Sequence, residues 1–268
     1  MGIRAWHILH GVPWSRDKDQ LDTLLRGASK LAPSSTRRSL RQPYTREYLS
    51  ALRPHLDLKD PMDAAVWGVL TVAFFAIARL GELVLPKQGS FDPAQHTTYA
   101  RVRTDRDRDG REVWVINLPR TKVSATGEDL CFMHQSGTID PVAALLNHVA
   151  VNNPSDDAPL FSHREPGRNG GGSNGRKELT KKSFMARVSQ AAKAAKLTPL
   201  HGHSLRIGGT LEYMLRGIPF DVVKTMGRWQ SDAFRVYLRK HAQILAPYLQ
   251  EQPEVQTTYA RYAMPPVR

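Results

Sequence analysis

The chain has 268 residues and a formal charge of +13, from 38 Lys and Arg against 25 Asp and Glu. That length can bury a real core as one domain or one and a half, and that charge points to a polyanionic partner, nucleic acid first, over a merely basic surface. One cysteine, Cys131, excludes an internal disulfide and a cysteine-based zinc site. The start, MGIRAWHILHGVPW, is too short and too interrupted by charge and Pro13 for a signal peptide. Residues 1–40 are too few for a whole domain. LDTLLRGASKLA reads as one helix, and SSTRRSLRQP as a basic, turn-rich linker ending at Pro43.

From Thr45, a predicted cap, TREYLSALRPHL reads as helix. PMDAAVWGVLTVAFFAIARLGELVL follows, with Asp63 expected to cap it and no charge over residues 64–78. A run of that length falls short of the ~20 residues that span a bilayer. Being apolar all round, it predicts a buried core helix and no membrane. Arg79 comes next, with Glu82 three residues on. A guanidinium at the end of a buried helix must be paired. Either the two form an ion pair and nothing more, or Arg79 faces a cleft while Glu82 steadies it.

A β region follows. TTYARVRT and REVWVINL are strand-like and joined through Asp109-Gly110, a strong hairpin signal. EDLCFMH makes a third strand, in which Cys131 reads as a small core residue. PRTKVSATG between the last two strands puts Arg120 and Lys122 on a loop or strand end. Asp140-Pro141 opens the helix PVAALLNHVAV. GRNGGGSNG is a flexible loop, flanked by Arg168, Arg176 and Lys177, which can meet phosphates. LTKKSFMARVSQAAKAAKL is an amphipathic basic helix whose Lys181 and Lys182 suit contact with a nucleic-acid backbone.

The densest chemistry lies between His201 and Tyr237. HSLRIGGTLEYMLR reads as a helix ended by Gly217 and Pro219. Asp221 is expected to cap DVVKTM, which Gly227 ends, and Ser231 or Asp232 to cap DAFRVYLRKHAQIL. His203 and Arg206, three apart, share a helix face. Tight turns can bring Trp229 and Tyr237 to the same surface. An imidazole, a guanidinium, an indole N–H and a phenol make a phosphodiester site. His201 and His203 lack the further ligands a metal needs, so neither metal nor cofactor is expected.

His203-Ser204-Leu205-Arg206, then Gly227-Arg228-Trp229, then Tyr237 resembles the tyrosine recombinase (integrase) family. There an H-x-x-R motif precedes a Gly-His or Gly-Trp pair and a nucleophilic tyrosine. GRWQSDAFRVYLR is most similar to recombinases of fungal Crypton and DIRS-like mobile elements, although many relatives place nine residues between the aromatic and the tyrosine. Arg79-Leu80-Gly81-Glu82-Leu83 resembles the family's first arginine motif, and Lys122 matches its hairpin lysine.

The resemblance implies a mixed α/β, mainly helical fold with a small antiparallel sheet. It also implies a catalytic set of Arg79, Lys122, His203, Arg206, Trp229 and Tyr237, supported by Glu82. Arg120, Lys181, Lys182 and Arg228 are expected to bind DNA, with Arg120 the fallback for Lys122. Residues 43–250 are expected to form the catalytic domain. Residues 1–42 would be the end of a truncated core-binding domain with its linker, and 251–268 a tail. The expected partner is double-stranded DNA, on which such proteins assemble as tetramers. The location is intracellular, and nuclear if the source is eukaryotic. Two alternatives stay open: a catalytically silent DNA-binding remnant of a mobile element, and a type IB topoisomerase-like nicking-closing enzyme.

Overall fold

The computed structural model describes residues 2–14, 17–36, 39–121, 124–165, 175–231 and 244. The chain divides into two compact units, 1–41 and 42–268. In the first, α1 (Ile3–Leu9) and α2 (Lys18–Leu31) bury no residue. Asp17 caps α2, its carboxylate accepting the Asp19 N–H at 2.8 Å. The α2 helix covers most of the predicted LDTLLRGASKLA, whereas α1 had no clear signal in so short a stretch.

The second unit is built around one apolar helix. Thr45 caps α3 (Arg46–Leu52) by accepting the Tyr48 N–H, as expected. The central helix α4 (Pro61–Phe75) is buried at every position from Asp63 to Phe75. Its cap is Asp60, with Pro61 at the first helical position, and not Asp63 as the sequence suggested. Pro61 has no N–H to lose there, so the helix can start three residues earlier. Asp63 does other work: it takes a two-pronged ion pair from Arg187 at 2.6 and 2.7 Å and accepts the Asp57 N–H. This pair ties α4 to α7 (Lys181–Ala194). Among the described residues, no helix is long and apolar enough to cross a membrane.

Short α5 (Leu80–Leu83) follows α4. A 3₁₀ turn at Tyr99–Arg101 leads into an antiparallel meander of β1 (Val102–Arg106), β2 (Glu112–Leu118) and β3 (Glu128–Phe132). The TTYA half of the predicted first strand is therefore not strand. Trp114 stands opposite Thr104 and Phe132, and Ile116 opposite Val102 and Leu130, which sets the inward face. With Leu130 and Phe132 turned inward, alternation puts Cys131 outward, and it is exposed rather than in the core. The remaining elements are α6 (Pro141–Asn152), the two-residue strands β4 (His163–Arg164) and β5 (Arg176–Lys177), α7, α8 (His203–Leu215) and α9 (Phe220–Met226). α9 starts after Pro219, so Asp221 lies in its first turn rather than at its cap. The helix expected over DAFRVYLRKHAQIL lies outside the described residues, Ile244 excepted.

Two further contacts place α8. Gly208 and Gly209 lie where added Cβ atoms would overlap the carbonyl oxygens of Tyr44 and Phe74. α8 therefore touches the chain before α3 and the end of α4 backbone to backbone. Tyr213, at the far end of α8, donates its hydroxyl proton to the Phe75 carbonyl at 2.8 Å. Burial pushes this phenol up to about 12.

α6 packs along α4 through a buried polar group. His148 is fully buried, and its Nε2 meets the Leu160 carbonyl at 2.8 Å, so Nε2 carries the proton. Its Nδ1 accepts from the Asn152 amide at 3.0 Å. Asn152 also bonds Pro61 and Arg164. Burial, with repulsion from His163 and Arg176 added, lowers His148 to about 4 against the backbone bond that raises it.

Two predictions follow from these contacts. Gly209→Ala is expected to cost about 1–3 kcal/mol in urea unfolding despite the better helix propensity of alanine. Gly27→Ala in α2, where an added Cβ meets nothing, should not destabilise. As for pH, the unfolded chain binds a proton at His148 near 6.5 and the folded chain only near 4. Stability is therefore full above about 6.5 and lost as pH falls towards 4, by at most about 3 kcal/mol. His148→Gln should flatten that slope in urea melts taken across the window.

Candidate active site

The site begins with the way α4 ends. The Ile77 N–H donates to the Phe74 carbonyl and the Ala78 N–H to the Ala73 carbonyl, with Ile77 in the left-handed region at φ 48°. This is the Schellman termination, whose left-handed position usually holds glycine. α9 ends the same way. The Arg228 N–H donates to Thr225 and the Trp229 N–H to Lys224, with Arg228 at φ 57°.

Arg206 joins the two turns. Its side chain is buried, and Nη1 donates to the Ile77 carbonyl at 2.8 Å while Nη2 donates to the Gly227 carbonyl. Its guanidinium carbon lies 4.2 Å from the centre of the Trp229 ring, a stacked cation–π arrangement. The indole can fold back there because residue 227 is glycine; a Cβ would overlap the ring.

Arg79 stands two residues beyond Ile77, at the cap of α5. Its N–H donates to Glu82 Oε2 at 2.8 Å and its Nη1 to Oε1 at 2.9 Å. Its side chain keeps 28% exposure. With Gly81, Glu82, Gln95, His96, Arg120 and Thr121 it lines an open cleft of about 350 Å³. Arg79 is thus paired with Glu82 and also lines the cleft. Glu82 is nearly buried, which alone would raise its carboxyl. The Arg228 charge, with bonds from Arg228 and Arg79, wins and holds it below the usual carboxylate range.

His203 is the exposed first residue of α8, one turn above Arg206. Gly202, just before it, fits against the Leu80 side chain, so the starts of α8 and α5 adjoin. Segments 77–82, 202–206 and 227–229 therefore converge, bringing Arg79, Glu82, His203, Arg206 and Trp229 to one locus. Lys181 and Lys182 are exposed at the start of α7, where the Lys181 N–H donates to the Leu85 carbonyl. Arg120 is exposed at the cleft edge.

Arg228 was expected to meet DNA, but its side chain is 7% exposed and turned inward, with Nη2 2.7 Å from Glu82 Oε2. A carboxylate buried beside it outcompetes water for the guanidinium. Lys122 and Tyr237 lie outside the described residues, as do Arg168 and the tail 251–268. Gln95, His96 and Thr121 were not singled out from sequence. They reach the cleft through tertiary packing and carry no local signal. No group of three or more His, Cys, Asp or Glu able to hold a metal is found among the described residues.

No protein-family model matches the chain, and neither does any curated protein sequence. Solved structures do. The post-cleavage complex of the XerH site-specific recombinase with palindromic difH substrate is 14% identical, with a TM-score of 0.50, over 80% of this chain and 55% of that one. The FLP recombinase–Holliday junction complex is 14% identical over 96% of this chain and 62% of that one, with a TM-score of 0.47. The chain thus spans little more than half the length of the XerH chain it matches. At this identity the likeness speaks for architecture. The mainly helical domain with a small antiparallel sheet is a fold shared with the XerH site-specific recombinase.

Proposed function

We propose that this chain carries the catalytic domain of a site-specific DNA recombinase of the tyrosine type. The observation that carries the reading is the convergence of Arg79, His203 and the Arg206–Trp229 stack on one locus beside an open cleft. The order and spacing of those residues, the +13 charge and the fold shared with XerH support it.

In this reading a scissile phosphate of double-stranded DNA sits against the cleft. Arg79 presents a planar, multi-donor cation to its nonbridging oxygens. Arg206, held by two backbone carbonyls, contributes positive field and fixes Trp229, whose indole N–H faces the phosphate. Tyr237 attacks phosphorus, a Tyr–O–P bond forms, and the P–O5′ bond breaks. Its proton passes to His203, for a phenol near pKa ~10 needs a base and a positive field. Lys122 delivers a proton to the departing 5′ oxygen. Attack by a 5′-hydroxyl then reverses the step, so the phosphodiester energy is conserved without ATP. The guanidinium groups take the part that metal ions play in other phosphoryl transfers.

Lys181, Lys182 and Arg120 serve as phosphate contacts. The two lysines stand at a helix start, where the dipole disfavours cations, and a polyanion relieves that cost. Assembly into a tetramer on DNA belongs to the same proposal.

On a nicked duplex that traps cleavage, the wild type is expected to form a covalent protein–DNA adduct that Tyr237→Phe abolishes, with DNA binding retained. Peptide mapping of the adduct to another tyrosine would overturn the assignment. The same reaction is expected to proceed in EDTA, and a strict need for added Mg²⁺ or Zn²⁺ would contradict the guanidinium mechanism.

A further inference from the structure

The Arg228 guanidinium does not line the cleft and is nearly withdrawn from solvent. Arg228 stands where a Schellman turn ordinarily takes glycine, and a left-handed residue with a Cβ costs about 1 kcal/mol. Its side chain is 7% exposed. Nη2 meets Glu82 Oε2 at 2.7 Å, while Nη1 lies 3.9 Å from Glu128 Oε2 on β3. Among the described residues, Nε and Nη1 are buried without a hydrogen-bond partner. The turn itself needs none of this, because its bonds are all backbone.

Charge explains what the turn does not. The Glu82 carboxylate bonds Arg79 through Oε1 and Arg228 through Oε2. With Arg79 alone, that carboxylate would offset the charge of the cleft-facing cation. With Arg228 present, the carboxylate is shared and the trio carries one net positive charge. Glu128 offsets part of that charge, its buried Oε2 lying 3.9 Å from Nη1, beyond hydrogen-bond range. The interior position matters, since charge beside a low-dielectric wall acts further than charge in water.

We infer that Arg228 is a positioning residue for phosphate binding. It neutralises Glu82 from behind, leaving the Arg79 guanidinium oriented by Glu82 but still cationic towards the cleft. This rests on the recombinase reading. It goes beyond it by giving a task to a residue that does not touch substrate.

The test is the rate of adduct formation on a nicked duplex with wild type, Arg228→Gly and Arg228→Lys. Glycine suits the left-handed turn, so Arg228→Gly removes charge with little backbone penalty. If it unfolds, Arg228→Gly in a Glu82→Gln background is compared with Glu82→Gln alone, where near-equal adduct rates support the inference and a roughly tenfold loss overturns it. Arg228→Gly is expected to slow the adduct by roughly tenfold to a hundredfold, with Arg228→Lys recovering most of the loss. A scissile methylphosphonate lacks one anionic oxygen and should narrow the gap between wild type and Arg228→Gly. An equal penalty on both substrates, or a lysine variant as slow as the glycine one, makes Arg228 merely structural and overturns the inference. If the wild type forms no adduct, the recombinase reading fails, and thermal stabilisation by inorganic phosphate decides the charge argument. Stabilisation of wild type that Arg228→Gly lacks supports it; equal stabilisation of both, or of neither, overturns it.

Discussion

A guanidinium withdrawn from water must find acceptors for its N–H groups or lose several kcal/mol. Arg206 finds them in the backbone carbonyls of Ile77 and Gly227, and its flat face is covered by Trp229. Each of those carbonyls belongs to the end of a different helix, α4 and α9. The end of a helix leaves carbonyls without partners inside the helix, so one arginine satisfies two orphaned groups and holds two helix ends together. Arg79, cast off from the end of α4, and Trp229, cast off from the end of α9, owe their relative placement to that one side chain. The backbone pays for this at Ile77, a β-branched residue held at φ 48°.

Around this centre the charges are layered. Arg206 is deepest and bonded to carbonyls, Arg228 is next and bonded to a carboxylate, and Arg79 is outermost and reaches the cleft. Glu82 is ionised because two cations face it, although burial pulls the other way. The arrangement avoids stacking bare cations side by side, since Arg206 donates to two carbonyls and Arg228 donates to the Glu82 carboxylate.

Much of this was legible from residue order. An uncharged run from 64 to 78 can only be a core helix, and α4 is buried accordingly. Thr45, Asp140 and Gly217 do what their residue types favour at helix ends. The motif spacing pointed to the locus where Arg79, His203, Arg206 and Trp229 meet. What escaped was whatever depends on partners far along the chain. Asp60 and Asp63 are both plausible caps, and only the Arg187 guanidinium, 124 residues away, takes Asp63 out of contention. Arg228 looks like a surface cation until Glu82, 146 residues back, is folded against it. Cys131 was misplaced because EDLCFMH has apolar residues on both parities, and pairing with β2 selects which side faces inward.

Where α8 meets the end of α4, Gly209 leaves no layer of side chains between the two backbones, and Gly208 does the same against Tyr44. Most helix contacts are cushioned, because rotamers can shift and take up small displacements before the backbone moves. Backbone pressed on backbone has no such play. It acts as a hard bearing: a slide of α4 carries α8 with it, and His203 and Arg206 travel as one piece with the seat of Arg79. The alignment of the three is thus set by the covalent geometry of the main chain, the stiffest material a protein has, rather than by the softer fit of its side chains.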